Sequence, residues 1–424
     1  MTPLSRIATA AALVLLQACA TAPAPGRLPT GPAVGDQDLS PFYRWDGPAP
    51  SRAGVLLREE PQPPQAEIRS AAEAVRILYA SDDVRWRSGL VPVSGTLHLP
   101  QGAMPAGGWP LVAWAHGTLG VADRCAPSWA GHKPRDAAYV ERWLQAGFAV
   151  VSTDYQGLGG PGPHPYLVWQ AEARSVLDSV RAALAARPGR IANAVLVTGQ
   201  SQGSGPAIGA ALIAREYAPE LRLLGAVGSG VVSHFPDGPY KPPVSTVPGA
   251  GAPHFTIMSL VGGGLRDDAP PPDQLVSAAA QPLLAEARTA CSPDVSALAR
   301  TLKVGMDRAF ALPLDQLQAL RLPVTDMQAV RVDVPLLLAT GLADRLIPPQ
   351  RQYNAVAALC GAGNAVSWHR YDGVGHNGSP HAAFGDALAL ARARLAGQAA
   401  PGNCAAVSPP GEPGALKAGL PFND

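Results

Sequence analysis

Residues 199–203 read Gly-Gln-Ser-Gln-Gly, which is the Gly-x-Ser-x-Gly pattern. A short β-rich run, Ile191–Thr198, precedes this pentapeptide, and a segment of small residues typical of a helix, Ser204–Tyr217, follows it. A serine on a sharp turn between a strand and a helix is lifted away from the sheet edge. The flanking glycines permit the strained turn and let strand and helix approach closely. The sequence therefore predicts a nucleophile elbow with Ser201 as the nucleophile.

Apolar runs of strand length alternate with helical patterns on both sides of this elbow. The other predicted strands of the central sheet are Leu111–Ala115, Phe148–Thr153, Leu223–Ser229, Val334–Thr340 and Ala365–Tyr371. Ala74–Ala80 and Val91–Leu99 are predicted to form an antiparallel hairpin, and helices are predicted at Asp136–Ala146 and Leu167–Arg187. Strands that are apolar throughout are typical of a parallel sheet covered on both faces. The predicted fold class is α/β, with a mostly parallel sheet flanked by helices.

Two segments depart from this alternation. Residues 41–68 are rich in proline and aromatic residues, and we expect an arm that lies on the surface. Residues 231–333 combine Pro/Gly-rich stretches with helical patterns near 255–261, 274–288 and 293–322. An insertion of this length is too long for a simple loop. It predicts a mainly helical cap over the strand ends, inserted between the two segments that form the core, 41–230 and 334–424. A helical subdomain without a role at the site is the alternative.

The first residues resemble an export signal. Arg6 is followed by the short apolar run Ile7–Leu16, which is too short to span a bilayer. Leu16-Gln17-Ala18-Cys19 then resembles a bacterial lipobox, in which cleavage leaves a lipidated Cys19. We predict a lipoprotein signal peptide at 1–18 and a flexible tether at 19–40. The protein would be membrane-anchored in the periplasm or outer membrane; an ordinary secretory signal with a chance cysteine, and hence a secreted protein, is the alternative.

The remaining cysteines form an even set, consisting of Cys125, Cys291, Cys360 and Cys404. In an exported chain an even number indicates two disulfides. Of the three possible pairings, Cys125–Cys291 with Cys360–Cys404 is favoured because the second pair joins neighbours near the C-terminal end. Metal binding is the less favoured alternative, since no Cys-x-x-Cys spacing occurs.

The charge of the chain gives no reason to expect a nucleic-acid partner. Its 33 basic and 32 acidic residues leave a formal net charge of +1. A nucleic-acid-binding surface requires a marked excess of basic residues. We expect a monomer whose partners are a small-molecule or lipid ester and, through the lipid anchor, a membrane.

A serine becomes an effective nucleophile only when a base takes its proton and a carboxylate orients that base. Asp344 directly follows the strand Val334–Thr340, and His376 follows Ala365–Tyr371 in the same way. Both would lie at the carboxyl ends of parallel strands, where open α/β sheets carry their sites. The order Ser201, Asp344, His376 is that of α/β-hydrolase triads. Asp372 is the alternative carboxylate, and the alternative bases are His381, His369 and His116.

The oxyanion of a tetrahedral intermediate needs N–H donors aimed at it. One predicted donor is the backbone N–H of Gln202, the residue after the nucleophile. The other is predicted in the loop after Leu111–Ala115, at Gly117 or Thr118, and the sequence does not choose between them.

Five motifs together resemble the secretory lipase family, the α/β-hydrolase group that includes fungal A-type lipases and many bacterial esterases. They are His116-Gly117-Thr118, Cys125-Ala126-Pro127-Ser128, Asp154-Tyr155-Gln156-Gly157-Leu158-Gly159, Gly199-Gln200-Ser201-Gln202-Gly203 and Tyr371-Asp372-Gly373-Val374-Gly375-His376. The resemblance implies an α/β-hydrolase fold with a helical cap and hydrolysis of carboxylic esters, often triacylglycerols. The lipobox departs from the family pattern and points to a tethered protein rather than a released one.

These observations predict an exported serine ester hydrolase of lipase or carboxylesterase type that needs no metal or organic cofactor. A serine peptidase on the same scaffold is one alternative, although no acidic cluster is placed to hold a substrate amino terminus. A noncatalytic binding protein is another, although such proteins commonly lack one triad residue. The sequence leaves the acyl chain length and the alcohol portion of the substrate open.

Overall fold

The computed structural model describes residues 36–65, 67–240 and 252–423. The predicted signal peptide, Cys19 and most of the predicted tether at 19–40 lie outside the described residues. In the described part of the chain nine strands form one sheet: β1 (Leu56–Pro61), β2 (Ala71–Asp83), β3 (Gly89–Pro100), β4 (Trp109–Ala115), β5 (Ala149–Thr153), β6 (Ile191–Gln200), β7 (Leu223–Ser229), β8 (Leu336–Gly341) and β9 (Val366–Tyr371).

The strand order is β1-β2-β3-β5-β4-β6-β7-β8-β9. Strands β1 to β3 are antiparallel, and β3 also pairs antiparallel with β5. Strands β4 to β9 are parallel to one another. The predicted mostly parallel sheet and its N-terminal hairpin are confirmed.

The helices of the described residues cover both faces of the sheet or lie beyond its carboxyl edge. They are α1 (Pro127–Ala130), α2 (Pro134–Gln145), α3 (Trp169–Ala186), α4 (Ser204–Tyr217), α5 (Pro253–Val261), α6 (Pro272–Leu275), α7 (Gln281–Ala287), α8 (Ser292–Leu302), α9 (Leu314–Leu320), α10 (Pro349–Gly361), α11 (Ser379–Ala382) and α12 (Phe384–Leu395). Strand β4 is apolar throughout because helices cover both of its faces. Leu111 packs on the side of α3, α4 and α10, whereas Val112 packs on the side of α2 and α12.

The segment 41–68, predicted as an arm on the surface, contributes a strand and buried side chains. It contains the edge strand β1, which pairs antiparallel with β2. Phe42 and Tyr43 are 2% and 3% exposed and pack against Leu78. The prolines that favoured a surface arm lie outside β1 or at its last residue, Pro61, where an edge strand tolerates them.

Helices α5 to α9 lie between β7 and β8, in the region predicted as a cap, and share an apolar cluster of their own. Two residues of the sheet-connecting loops, Val121 and Tyr166, join this cluster. The predicted helical segment 293–322 is two helices instead of one. It is interrupted because Lys303 adopts a left-handed backbone with φ 51°, and α9 begins only after Pro313.

The described residues contain two disulfides, Cys125–Cys291 and Cys360–Cys404, which is the pairing that the sequence favours. The Cys125–Cys291 disulfide joins the loop after β4 to the residue before α8. At the same place the N–H of Ser292 donates to the carbonyl of Leu119 at 2.7 Å. The loop that carries Gly117 and Thr118 is therefore tied to the start of α8.

Candidate active site

Ser201 lies on a turn between β6 and α4 and has a positive φ of 55°. A Cβ atom on Gly199 would lie 2.0 Å from the carbonyl oxygen of Gly203, and one on Gly203 would lie 1.9 Å from that of Ala115. Real Cβ atoms do not come so close to a carbonyl oxygen, so both positions require glycine. The turn is thus packed against β4 and presents the serine at the carboxyl edge of the sheet, as the elbow pattern predicts.

His376 lies in the loop after β9 and contacts Ser201. Its Nε2 atom is 2.8 Å from Ser201 Oγ, and its Nδ1 atom is 2.7 Å from Asp344 Oδ2. Because Nδ1–H donates to the carboxylate, Nε2 is left to accept the serine hydroxyl proton. The histidine loop is fixed from the C-terminal segment, where Asn423 Oδ1 accepts the N–H of Gly375 at 2.6 Å.

Asp344 is fully buried in the loop after β8, and its carboxylate receives several hydrogen bonds. Oδ1 accepts the backbone N–H groups of Leu346 and Ile347 at 3.0 and 2.8 Å. Oδ2 accepts Gln352 Nε2–H at 2.9 Å in addition to His376. These bonds offset the cost of burying a charge.

The alternative carboxylate and the alternative bases considered from the sequence are exposed or contact other groups. Asp372 is exposed. His116 Nδ1 donates to the carbonyl of Gly117 at 2.8 Å, and burial lowers the pKa of this histidine to about 4. His369 lies 3.3 Å from Asp386, and His381 donates to the carbonyl of Arg135 at 3.0 Å. The structure therefore brings together the favoured three residues.

The predicted oxyanion loop adjoins this group. A Cβ atom on Gly117 would lie 2.5 Å from Gln200 Oε1, so glycine lets the loop pass close to the end of β6. Thr118 lines the same cleft as Ser201 and His376, and its hydroxyl is 2.8 Å from that of Tyr166. The choice between the N–H groups of Gly117 and Thr118 stays open.

Gln202 is held by two buried residues that sequence reasoning missed. Its Nε2 group donates to His164 Nε2 at 2.9 Å and to Glu172 Oε1 at 2.7 Å. His164 can accept because its Nδ1–H donates to Gln156 O at 3.0 Å, and burial lowers its pKa to about 3. Burial raises the pKa of Glu172 to about 8, against the lowering effect of the Gln202 and Leu167 hydrogen bonds.

The Glu172 carboxyl makes the stability of the protein depend on pH. Its pKa in the folded protein is raised from 4.5, so the folded state favours the protonated carboxyl. The contribution of this group to the free energy of unfolding is complete below pH 4.5 and is lost as pH rises through about 8. We expect Glu172→Gln to remove this dependence. Between pH 5 and pH 9 the wild type should lose on the order of 4 kcal/mol more unfolding free energy than the variant.

Denaturant unfolding at the two pH values measures this difference. Glu216→Gln, which makes the same change at an exposed helix position, is the control and should follow the wild type. Parallel pH curves for the wild type and Glu172→Gln would contradict the assignment of a raised pKa to Glu172.

A cleft of about 740 Å³ opens above Ser201 and His376, between the carboxyl edge of the sheet and helices α5 and α8. Apolar side chains line part of it, namely Phe255, Leu346 and Phe422. This is the size of a small-molecule site. Within the described residues, no group of three or more His, Cys, Asp or Glu side chains is arranged to hold a metal ion.

One region of the chain is similar to a known family, the secretory lipases. The match covers residues 133–237, which include Ser201 and end before Asp344 and His376. The resemblance to the secretory lipases that the sequence motifs predict is thereby confirmed. A search of curated protein sequences finds no significant match.

Solved structures of lipases and esterases share the fold. Lipase A of Candida antarctica in its closed state has a TM-score of 0.64 at 18% identity, over 88% of this chain and 90% of that chain. The rice cell wall degrading esterase LipA of Xanthomonas oryzae has a TM-score of 0.56 at 18% identity, over 82% and 100%. A hydrolase of Legionella pneumophila, described as putative, has a TM-score of 0.54 at 16% identity, over 81% and 99%. The predicted α/β-hydrolase fold is confirmed.

Proposed function

We propose that this chain is a serine carboxylic ester hydrolase of lipase or esterase type. The observation that carries the proposal is the hydrogen-bonded series Ser201–His376–Asp344, with contacts of 2.8 and 2.7 Å, on a strained turn beneath an open cleft. The secretory lipase match and the lipase and esterase structures of the same fold support it.

The geometry supports a two-step acyl transfer. Ser201 Oγ attacks the ester carbonyl carbon while His376 Nε2 takes the hydroxyl proton, and Asp344 stabilises the imidazolium. The carbonyl oxygen becomes an oxyanion that accepts from the N–H of Gln202 and from Gly117 or Thr118. The C–O bond to the alcohol breaks, and His376 returns the proton to the leaving alcohol. Water, deprotonated by His376, then releases the acid and regenerates Ser201.

A substrate panel tests this proposal. Purified protein should release p-nitrophenol from p-nitrophenyl esters between acetate and palmitate and should leave aminoacyl-p-nitroanilides intact. Among the described residues that line the cleft there is no carboxylate to hold a peptide ammonium group. Emulsified triglyceride added to the panel separates a lipase from a short-chain esterase. Cleavage of the anilides alone would favour the peptidase alternative, and inertness toward every substrate would favour a noncatalytic protein.

We also propose that the chain is exported and anchored through a lipidated Cys19. Two disulfides are typical of an oxidising compartment, and the secretory lipase match agrees with export. No helix of the described residues is long and apolar enough to cross a membrane.

Cys19→Ala is expected to move the protein from the membrane fraction to the soluble fraction of cells, because the variant lacks the thiol that would carry the lipid. Fractionation and immunoblotting measure the shift. A change of Cys19 to serine gives a second thiol-free variant as control. Unchanged membrane partitioning of both variants would contradict lipidation at this residue.

A further inference from the structure

The cleft above Ser201 is lined by cationic side chains and, among the described residues, by no acidic one. Lys133, Arg135 and Arg300 face it, together with His254. Burial lowers the pKa of His254 to about 4, so this ring is neutral at pH 7. A neutral acyl chain gives no reason for three cationic side chains in the cleft that contains Ser201.

Lys133 has no carboxylate partner among the described residues, whereas the adjacent Arg135 is paired with Asp136. Its Nζ group donates to the carbonyl of Thr118 at 3.4 Å, and the ion pairs of the described residues do not include it. Burial lowers its pKa to about 8, while Asp136 and Asp294 act to raise it and Arg135 to lower it. The ammonium is therefore largely charged at pH 7. A partly buried ammonium without a carboxylate partner is incompletely compensated, so an anion that enters the cleft gains a partner there.

The two arginines are placed differently. Arg135 Nε donates to Asp136 at 2.7 Å and its Nη1 donates to Asn377 Oδ1 at 2.7 Å, so its charge is already matched. Arg300 is exposed on α8, where it donates to Ser296 Oγ at 2.8 Å. Lys133 is thus the inner unmatched cation, and Arg300 is a cation at the rim that attracts anions toward the cleft.

We propose that the site prefers esters that carry a free carboxylate, and that Lys133 binds this carboxylate. The inference rests on the proposed ester hydrolysis and names its substrate class. One unmatched ammonium balances one negative charge, which favours a carboxylate over a phosphate dianion. Lys133 contacts the carbonyl of Thr118, a candidate oxyanion residue, so the carboxylate would lie within a few atoms of the scissile carbonyl. Half-esters of short dicarboxylic acids have this arrangement.

Monomethyl adipate and methyl hexanoate form a matched pair of probes, because a methyl group in the second replaces the carboxylate of the first. Titration of released acid at pH 7 gives kcat and KM for both. Wild-type protein should have the higher kcat/KM for monomethyl adipate. Lys133→Met should lower the adipate-to-hexanoate ratio of kcat/KM about tenfold, mainly through KM for the half-ester. Lys133→Arg, which keeps the charge, should restore most of the ratio.

Lys417→Met makes the same chemical change at an exposed position and should leave the ratio at the wild-type value. An equal loss on both esters in Lys133→Met would show that the lysine only supports the Thr118 loop, and would overturn the inference. A wild type that hydrolyses methyl hexanoate but disfavours monomethyl adipate would overturn it without any variant. If the protein hydrolyses neither of these two methyl esters and none of the p-nitrophenyl esters, the proposed function itself is refuted.

Discussion

Ser201→Ala is expected to lower kcat/KM for p-nitrophenyl butyrate by roughly 10⁴- to 10⁶-fold while the protein stays folded. The change removes the one oxygen that contacts His376 Nε2 at 2.8 Å, and without it no acyl-enzyme can form. Alanine keeps the Cβ atom, so the positive φ of 55° is no more strained than in the wild type. Initial rates and thermal unfolding curves of the two proteins measure the two parts of the expectation.

Ser296→Ala is the matched control for this change. Ser296 lines the same cleft, but its hydroxyl accepts from Arg300. The kcat/KM of Ser296→Ala should stay within about threefold of the wild type, because this hydroxyl contacts Arg300 and not His376. Retention of a tenth or more of the activity by Ser201→Ala would show that another group attacks the ester.

Asp344→Asn is expected to lower kcat about 10³- to 10⁴-fold. Each oxygen of this carboxylate accepts two N–H groups, so an amide nitrogen at either place would meet donors instead of acceptors. With the amide facing His376, Nδ1 can no longer donate, and the imidazolium formed during attack loses its stabilising charge. The same mismatch should cost roughly 1–3 kcal/mol of unfolding free energy, because it leaves buried donors unpaired.

Asp372→Asn is the control that decides between the two carboxylates considered in the sequence. This residue is exposed, and its substitution should change kcat by less than about threefold. Steady-state kinetics with p-nitrophenyl butyrate and denaturant unfolding provide both readouts. A larger loss of kcat in Asp372→Asn than in Asp344→Asn would show that Asp372, and not Asp344, orients His376.

The sequence was informative where the signal is local. The Gly-x-Ser-x-Gly turn, the apolar strands and the loops after β8 and β9 each have a pattern confined to a few residues, and these patterns led to Ser201, Asp344 and His376. The edge strand β1 was missed because an edge strand needs few apolar residues and its prolines resemble a loop. The break between α8 and α9 was missed because its left-handed residue is Lys303, a residue type that gives no turn signal.

The residues that hold the site in place could not be predicted from the sequence, because they come from distant segments of the chain. Glu172 and His164 meet Gln202, and Asn423 reaches Gly375 from the C-terminal segment. No spacing rule relates these positions before the chain is folded. The division into a core at 41–230 and 334–424 and a cap at 231–333 stays a prediction, as does the export signal at 1–18.

Covalent labelling with a fluorophosphonate tests the central claim most directly. An activated serine displaces fluoride and forms an Oγ–P bond, which intact mass and peptide mass spectrometry locate without any assumption about the substrate. We predict one adduct per chain, on the peptide that contains Ser201, and no adduct in Ser201→Ala. Absence of labelling in the folded wild type, or equal labelling of wild type and Ser201→Ala, would contradict the assignment of Ser201 as the nucleophile.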